Sequence, residues 1–133
     1  MSGETDLHTL LQTMKPQLNE GKYVFCVLDS LKTAYTLAPL CMFREKEGVT
    51  VIIPKAQADE IELPYPVICA WITLTVHSSL EAVGLTAAVS KALTDAKISC
   101  NVIAAYYHDH IFVPVKDSEQ AMSTLKRLTA NSI

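Results

Sequence analysis

"VHSSLEAVGLTAAVSKALTDAKIS", running from Val76 to Ser99, is the stretch on which the fold turns. It leaves an extended apolar run, passes two serines and a glycine, and settles into a period of 3.6 with Leu85, Ala88, Val89, Ala92, Leu93 and Ala96 on one stripe. The pattern predicts a strand, a loop, and a helix from about Glu81 to Lys97. First-turn amides of such a helix have no intrahelical acceptor, and with the positive end of the helix dipole they form a weak anion seat matched to a carboxylate. Gly84 lets a ligand or neighbouring strand approach the backbone closely, and equally relieves crowding between helix and sheet.

Upstream, "VICAWITLTVH" (Val67–His77) alternates, with Ala70, Ile72, Leu74 and Val76 on one face and Cys69, Trp71, Thr73, Thr75 and His77 on the other. Trp71, Thr73 and Thr75 suit a sheet or subunit contact as well as a core. Downstream, "ISCNVIAAYY" (Ile98–Tyr107) and "HIFVPV" (His110–Val115) read as two strands. A final helix opens with Asp117 as N-cap and Gln120 three residues on, and its stripe is Ala121, Met122, Leu125 and Leu128.

Before Val67, "LPYP" (Leu63–Pro66) is the strongest boundary, because two prolines stop either regular structure. Leu7, Leu10, Leu11, Met14 and Leu18 predict an amphipathic helix from Thr5 to about Leu18, with Pro16 bending its last turn. "KYVFCVLD" (Lys22–Asp29) suits a strand covered on both faces. "SLKTAYTLAP" (Ser30–Pro39) reads as a connection, Glu47-Gly48 as a hairpin turn, and "KAQADEIEL" (Lys55–Leu63) as a short helix.

A faint repeat follows from this order: strand, connection, hairpin and helix, then strand, helix, hairpin and helix. Two halves are expected, residues 1–64 and 65–133. In the repeat Asp109-His110 takes the place of Glu47-Gly48, so "HDH" (His108–His110) reads as a turn that keeps the two histidines off a common face, not as a metal site. His77 followed by Ser78 and Ser79 is the one place where a base meets hydroxyls, and it reads as a polar strand end. No nucleophile elbow, zinc-protease helix or phosphate loop is spelled, and no cofactor is expected.

The chain of 133 residues is half apolar with 19% charged residues, enough to bury a core. A net charge of −3 and scattered lysines argue against a nucleic-acid partner. Cys26, Cys41, Cys69 and Cys100 are too widely spaced for a zinc knuckle or a disulfide scaffold. "VICAWITLTV" is about half a membrane span, and no basic-then-apolar leader opens the chain. A soluble cytoplasmic protein without a membrane partner is expected.

"EAVGLTAAVSKALTDAKISCNVIAAYYHDHIFVPV" (Glu81–Val115) resembles an ACT domain, the small regulatory module of amino-acid metabolism. The family's loop reads D-x-P-G-x-L, and here Glu81 stands at the acidic position, Val83 at the proline and Gly84 at the glycine. "AKIS" (Ala96–Ser99) matches the entry to the next strand. With "KYVFCVLD" and "EGVTVIIP" (Glu47–Pro54) included, the whole chain is similar to short bacterial stand-alone proteins made of two ACT-like halves. The resemblance implies an α+β, ferredoxin-like βαββαβ fold, two small halves with antiparallel sheets and helices on one face. A helix before the first strand and no strand after the last helix depart from that order, so a strand is expected to be shared or swapped, with "EIELPYP" (Glu60–Pro66) the candidate.

The resemblance also implies an amino acid bound where two such units meet, in a homo-oligomer, dimer or tetramer. Carried over by position, the ligand-facing residues are Ser78, Ser79, Leu80, Glu81, Val83 and Gly84, with Ser99 or Asn101 on the adjoining strand. Glu81 or Asp29 would take the ammonium group. A non-enzymatic regulatory sensor is the leading expectation. The alternatives are an interaction or oligomerisation module without ligand, and a small enzyme using His77 or His108.

Overall fold

The computed structural model describes residues 6–76 and 82–130. In chain order its elements are α1 (Leu7–Thr13), β1 (Pro16–Leu18), β2 (Tyr23–Leu28), α2 (Leu31–Leu37), β3 (Cys41–Arg44), β4 (Val49–Pro54), α3 (Lys55–Glu60), β5 (Cys69–Leu74), α4 (Leu85–Asp95), β6 (Asn101–Ala104), β7 (Asp109–Pro114) and α5 (Ser118–Ala130), with a 3-10 turn at Val115–Asp117. They form two compact units, one of residues 21–69 and one that joins residues 6–20 to the chain from Ala70 onward.

In the unit of residues 21–69 the antiparallel order is β3-β4-β2. Alternation sends Val24, Cys26, Leu28, Val49, Val51 and Ile53 to one face, where they pack on Ala34 of α2 and Ala58 of α3. On the other face of β2 cover is partial: Tyr23 and Phe25 are half-buried and Ile52, paired with Phe25, is buried, whereas Val27 is 60% exposed. The connection expected at Ser30–Pro39 is a helix. The Ser30 hydroxyl accepts the Thr33 amide (3.3 Å), and burying Ala34 supplies the tertiary contact that a seven-residue helix needs. Glu60–Pro66 is not a strand; Glu62 takes φ 57° and the Leu63 amide donates back to the Ala58 carbonyl (2.9 Å), which closes α3.

The other unit has the strand order β1-β5-β7-β6, with β1 antiparallel to β5 in the register Pro16↔Leu74 to Leu18↔Ile72. Taken from β5, its order is strand, helix, strand, strand, helix, and the closing strand is β1, supplied from the other end of the sequence. The helix expected to reach Leu18 therefore stops at Thr13. Proline disfavours a helical residue before it and lacks an amide for the helix ladder, and Met14 is already extended with ψ 131°. Leu10 and Met14 are fully buried with Ala70, Ile72, Leu74, Val89, Leu93, Ile111, Val113 and Leu125, so the α1–β1 segment completes this core.

The two hairpins have matching geometry. Glu45 donates to the Gly48 carbonyl (2.9 Å) between Arg44 and Val49, and Ala105 donates to the His108 carbonyl (3.1 Å) between Ala104 and Asp109. Tyr106-Tyr107, not Asp109-His110, forms the second turn. Asp109 and His110 are strand residues, and the rings of His108 and His110 approach to 6.4 Å rather than facing apart. The 3-10 turn that ends at Asp117 leads into α5, whose stripe of Ala121 and Leu125 is fully buried as the spacing predicts. Among the described residues no helix is long and apolar enough to cross a membrane.

Candidate functional site

β5 delivers the chain to Thr75 and Val76, and Ala82, Val83 and Gly84 lead it into α4. Ser78, Ser79, Leu80, Glu81 and His77 lie outside the described residues. Val83 is 82% exposed, whereas Leu85, two residues further, is 3% exposed and anchors the helix in the core. Gly84 is the N-cap residue at φ 103° and ψ −18°, and its carbonyl accepts the Ala88 amide at 2.9 Å. With no side chain at the cap, nothing from this residue competes for the first-turn amides of an eleven-residue helix.

Gly84 also answers to packing. A Cβ there would stand 3.0 Å from Cδ2 of Leu7, so α1 occupies one side of the glycine. Crowding against α1, a contact invisible to local pattern, is thus one physical reason for this glycine. Ser99 and Asn101 are exposed at the entry to β6, and β7 lies between β6 and β5, so neither adjoins the strand that leads into the loop. Asp29 is exposed in the other unit, in the corresponding passage between β2 and α2.

On the sheet face away from the helices, a polar network lies where the sequence places Trp71 and Thr73. The Trp71 indole Nε1–H donates to Nδ1 of His110 (3.1 Å), and the Thr73 hydroxyl meets the same nitrogen at 3.1 Å. Asn19 Nδ2 donates to Thr73 Oγ1 (2.9 Å) and to the Trp71 carbonyl (3.2 Å). An indole nitrogen can only donate, so Nδ1 of His110 carries the lone pair and the ring proton resides on Nε2. Burial, with help from His108, lowers the pKa of His110 and favours this neutral form. Sequence reasoning missed the network because Asn19 and His110 are 91 positions apart in the chain, though an indole beside a threonine on one strand face was a signal for a polar partner.

Beside it, His108 Nδ1 lies 3.2 Å from the Val76 carbonyl, and Asp109 is 7% exposed with its carboxyl pKa raised by burial. Among the described residues no three His, Cys, Asp or Glu side chains converge as metal ligands. In the other unit a cleft of about 360 Å³ is lined by Lys22, Tyr23, Lys55 and Asp59, in which Asp59 pairs with Lys55 (2.6 Å) and accepts the Tyr65 hydroxyl (2.7 Å).

Comparison with known proteins places this geometry. A family model for the ACT domain matches residues 2–70, and a second ACT-domain model matches residues 67–127. Among solved structures, the chain is 45% identical to VC0802 of Vibrio cholerae, described as a protein of unknown function and possible transport protein. That likeness covers 92% of this chain and 95% of VC0802 at a TM-score of 0.85. Atu0741 of Agrobacterium tumefaciens superposes at a TM-score of 0.72 with 14% identity, covering 87% of this chain and 89% of its own. The ligand-free regulatory subunit of aspartate kinase from Thermus thermophilus superposes at 0.61 with 9% identity, covering 89% and 98%. The last two show a shared fold alone. No curated protein matches the chain. With a strand–loop–helix crossover built on Gly84 and two family matches that together span residues 2–127, the chain belongs to the ACT domain family.

Proposed function

We propose that the protein is a non-enzymatic regulatory protein of the cytoplasm that senses an amino acid at the β5–α4 crossover. The observation that carries this reading is the start of α4: an eleven-residue helix opening at a positive-φ glycine with no side-chain cap. The amides of its first turn and the dipole behind them favour a carboxylate. Because Leu7 stands against one side of Gly84, the carboxylate belongs on the amides that follow Gly84, not against its Cα. Ser78, Ser79 and Leu80 would close the loop around it, Val83 would flank it, Glu81 or Asp29 would receive the ammonium group, and Ser99 or Asn101 would reach it from a second copy.

A ligand that bridges two units shifts an equilibrium only by its differential affinity for the two arrangements. Thermal shift and isothermal titration against the twenty amino acids test the reading directly. A single amino acid or a close chemical group should raise the melting temperature, with the gain weakened by Glu81→Gln. Silence across the whole panel would end it.

One observation favours a second reading, self-association through the unit of residues 21–69. Val27 and Phe43 flank Thr50 in register on the outer sheet face and are 60% and 69% exposed, beside the open edge of β3. Sedimentation velocity of Phe43→Glu against the unmodified chain separates the two readings. A lighter species for the variant supports the interface, and equal mass removes it.

A further inference from the structure

We propose that His110 is a proton-operated latch for Trp71: neutral, it holds the indole over the outer face of the sheet, and protonated on Nδ1, it releases it. The geometry leaves little choice at Nδ1. That atom accepts from the Trp71 indole at 3.1 Å and faces the Thr73 hydroxyl at 3.1 Å. A proton arriving there turns the acceptor into a donor. Thr73 can adapt, because its hydroxyl oxygen has a second lone pair for the new Nδ1–H while still accepting from Asn19 at 2.9 Å. Trp71 cannot, since an indole N–H has no acceptor character. Protonation therefore breaks one bond selectively and keeps the other.

What the latch covers gives the step a consequence. The Trp71 ring lies nearly parallel to Phe112, 6.5 Å between centroids at 15°, and is tilted on His110 at 5.8 Å. Phe112 is 1% exposed although it points away from the helical core. Releasing the indole takes one stacked ring off that apolar face, so mild acid would loosen a surface that neutral pH keeps packed.

Among the described residues the surroundings supply few competing charges. On β5 the neighbours are Trp71 and Thr73, and across the ladder on β6 stands Ile103, all uncharged. Along β1 the alternate positions on this side are Lys15, Gln17 and Asn19, of which Lys15 alone carries charge. On β7 itself Asp109 points to the opposite face by strand alternation, and His108 stands 6.4 Å away. Burial first, and then His108, keep the ring neutral. The sign follows: the native pKa is below the unfolded value near 6.5, so the latch is fully closed above that pH and opens as pH falls through the native value.

Trp71 is the single tryptophan, which makes the test direct. Emission of the full chain is followed from pH 8 to pH 4.5 while far-UV circular dichroism monitors the fold. The expected result is a red shift of the emission maximum below pH 6.5 with unchanged dichroism. It should vanish in His110→Asn, whose amide oxygen accepts without titrating, and move to higher pH in His108→Gln. A second measurement on the unmodified chain guards against a variant that fails to fold: the ¹⁵N shift of His110 Nδ1 at pH 8 should be that of an unprotonated ring nitrogen. A red shift that persists in His110→Asn, a silent emission in the unmodified chain, or a protonated Nδ1 at pH 8 would each overturn the latch. None of these readouts depends on the amino-acid reading of the β5–α4 crossover.

Discussion

Replacing Gly84 by alanine puts the packing at the crossover to the test. Two costs are expected to add. The backbone at φ 103° lies where an L-residue meets its own carbonyl, at roughly 1–2 kcal/mol. The new methyl would also stand 3.0 Å from Leu7 Cδ2, closer than ordinary contact, and at an ordinary 3.7 Å from Cδ1. Leu7 must turn away, and a side chain pushed off its rotamer costs about 0.5–1.5 kcal/mol. Together Gly84→Ala should lose roughly 1.5–3.5 kcal/mol, a drop of roughly 5–12 °C in melting temperature for a chain of this length. Urea denaturation followed by circular dichroism measures it. In a Leu7→Ala background the methyl meets empty space, so only the backbone part should remain, leaving a coupling of about 0.5–1.5 kcal/mol between the sites. A Gly84→Ala chain as stable as the original would refute both parts. A loss with no coupling to Leu7 would refute the packing part alone.

Other perturbations follow from the same physics. Lys97 ends α4 at φ 63°, with the Ile98 amide donating to the Leu93 carbonyl (2.9 Å), so Lys97→Gly should stabilise by roughly 0.5–1 kcal/mol in thermal melts. Leu10→Ala should cost about 2–5 kcal/mol, because the side chain is fully buried in a core that α1 completes from outside the second half of the sequence. Ser30→Ala removes the acceptor for the Thr33 amide and should cost about 0.5–2 kcal/mol in urea melts. At Asp6 the Thr9 hydroxyl and amide hold the carboxyl below its ordinary value of 3.8. Its contribution is present above that pH and lost as pH falls through the depressed native value, read as faster amide exchange at Thr9.

Most elements were legible because their signal is local. The apolar runs of β2 and β4, the alternation in β5 and the stripes of α4 and α5 are written within single segments, and each stripe residue named from the sequence in α5 is buried or packed on the core. The α2 segment was not legible: seven residues carry too little propensity, and Ala34 is helical because β2 and β4 bury it. The second turn was misplaced because Asp-His looks more turn-like than Tyr-Tyr. Yet the ladder from Ala104↔Asp109 to Asn101↔Phe112 keeps Ile111 and Val113 on the core face, and one step of slippage would expose them.

The sequence by itself determined a repeated order of strand, connection, hairpin and helix, with the connection legible as a helix only in the second half, and a glycine opening the central crossover, since these are matters of spacing and steric freedom. Only the tertiary structure decided that Pro16–Leu18 closes the second half's sheet and that Leu7 backs Gly84. It also decided that Asn19, Trp71, Thr73 and His110 share one network. The reason is the same in each case: a strand's partner and a glycine's neighbour are set by which apolar faces bury one another, and chain order does not encode that distance.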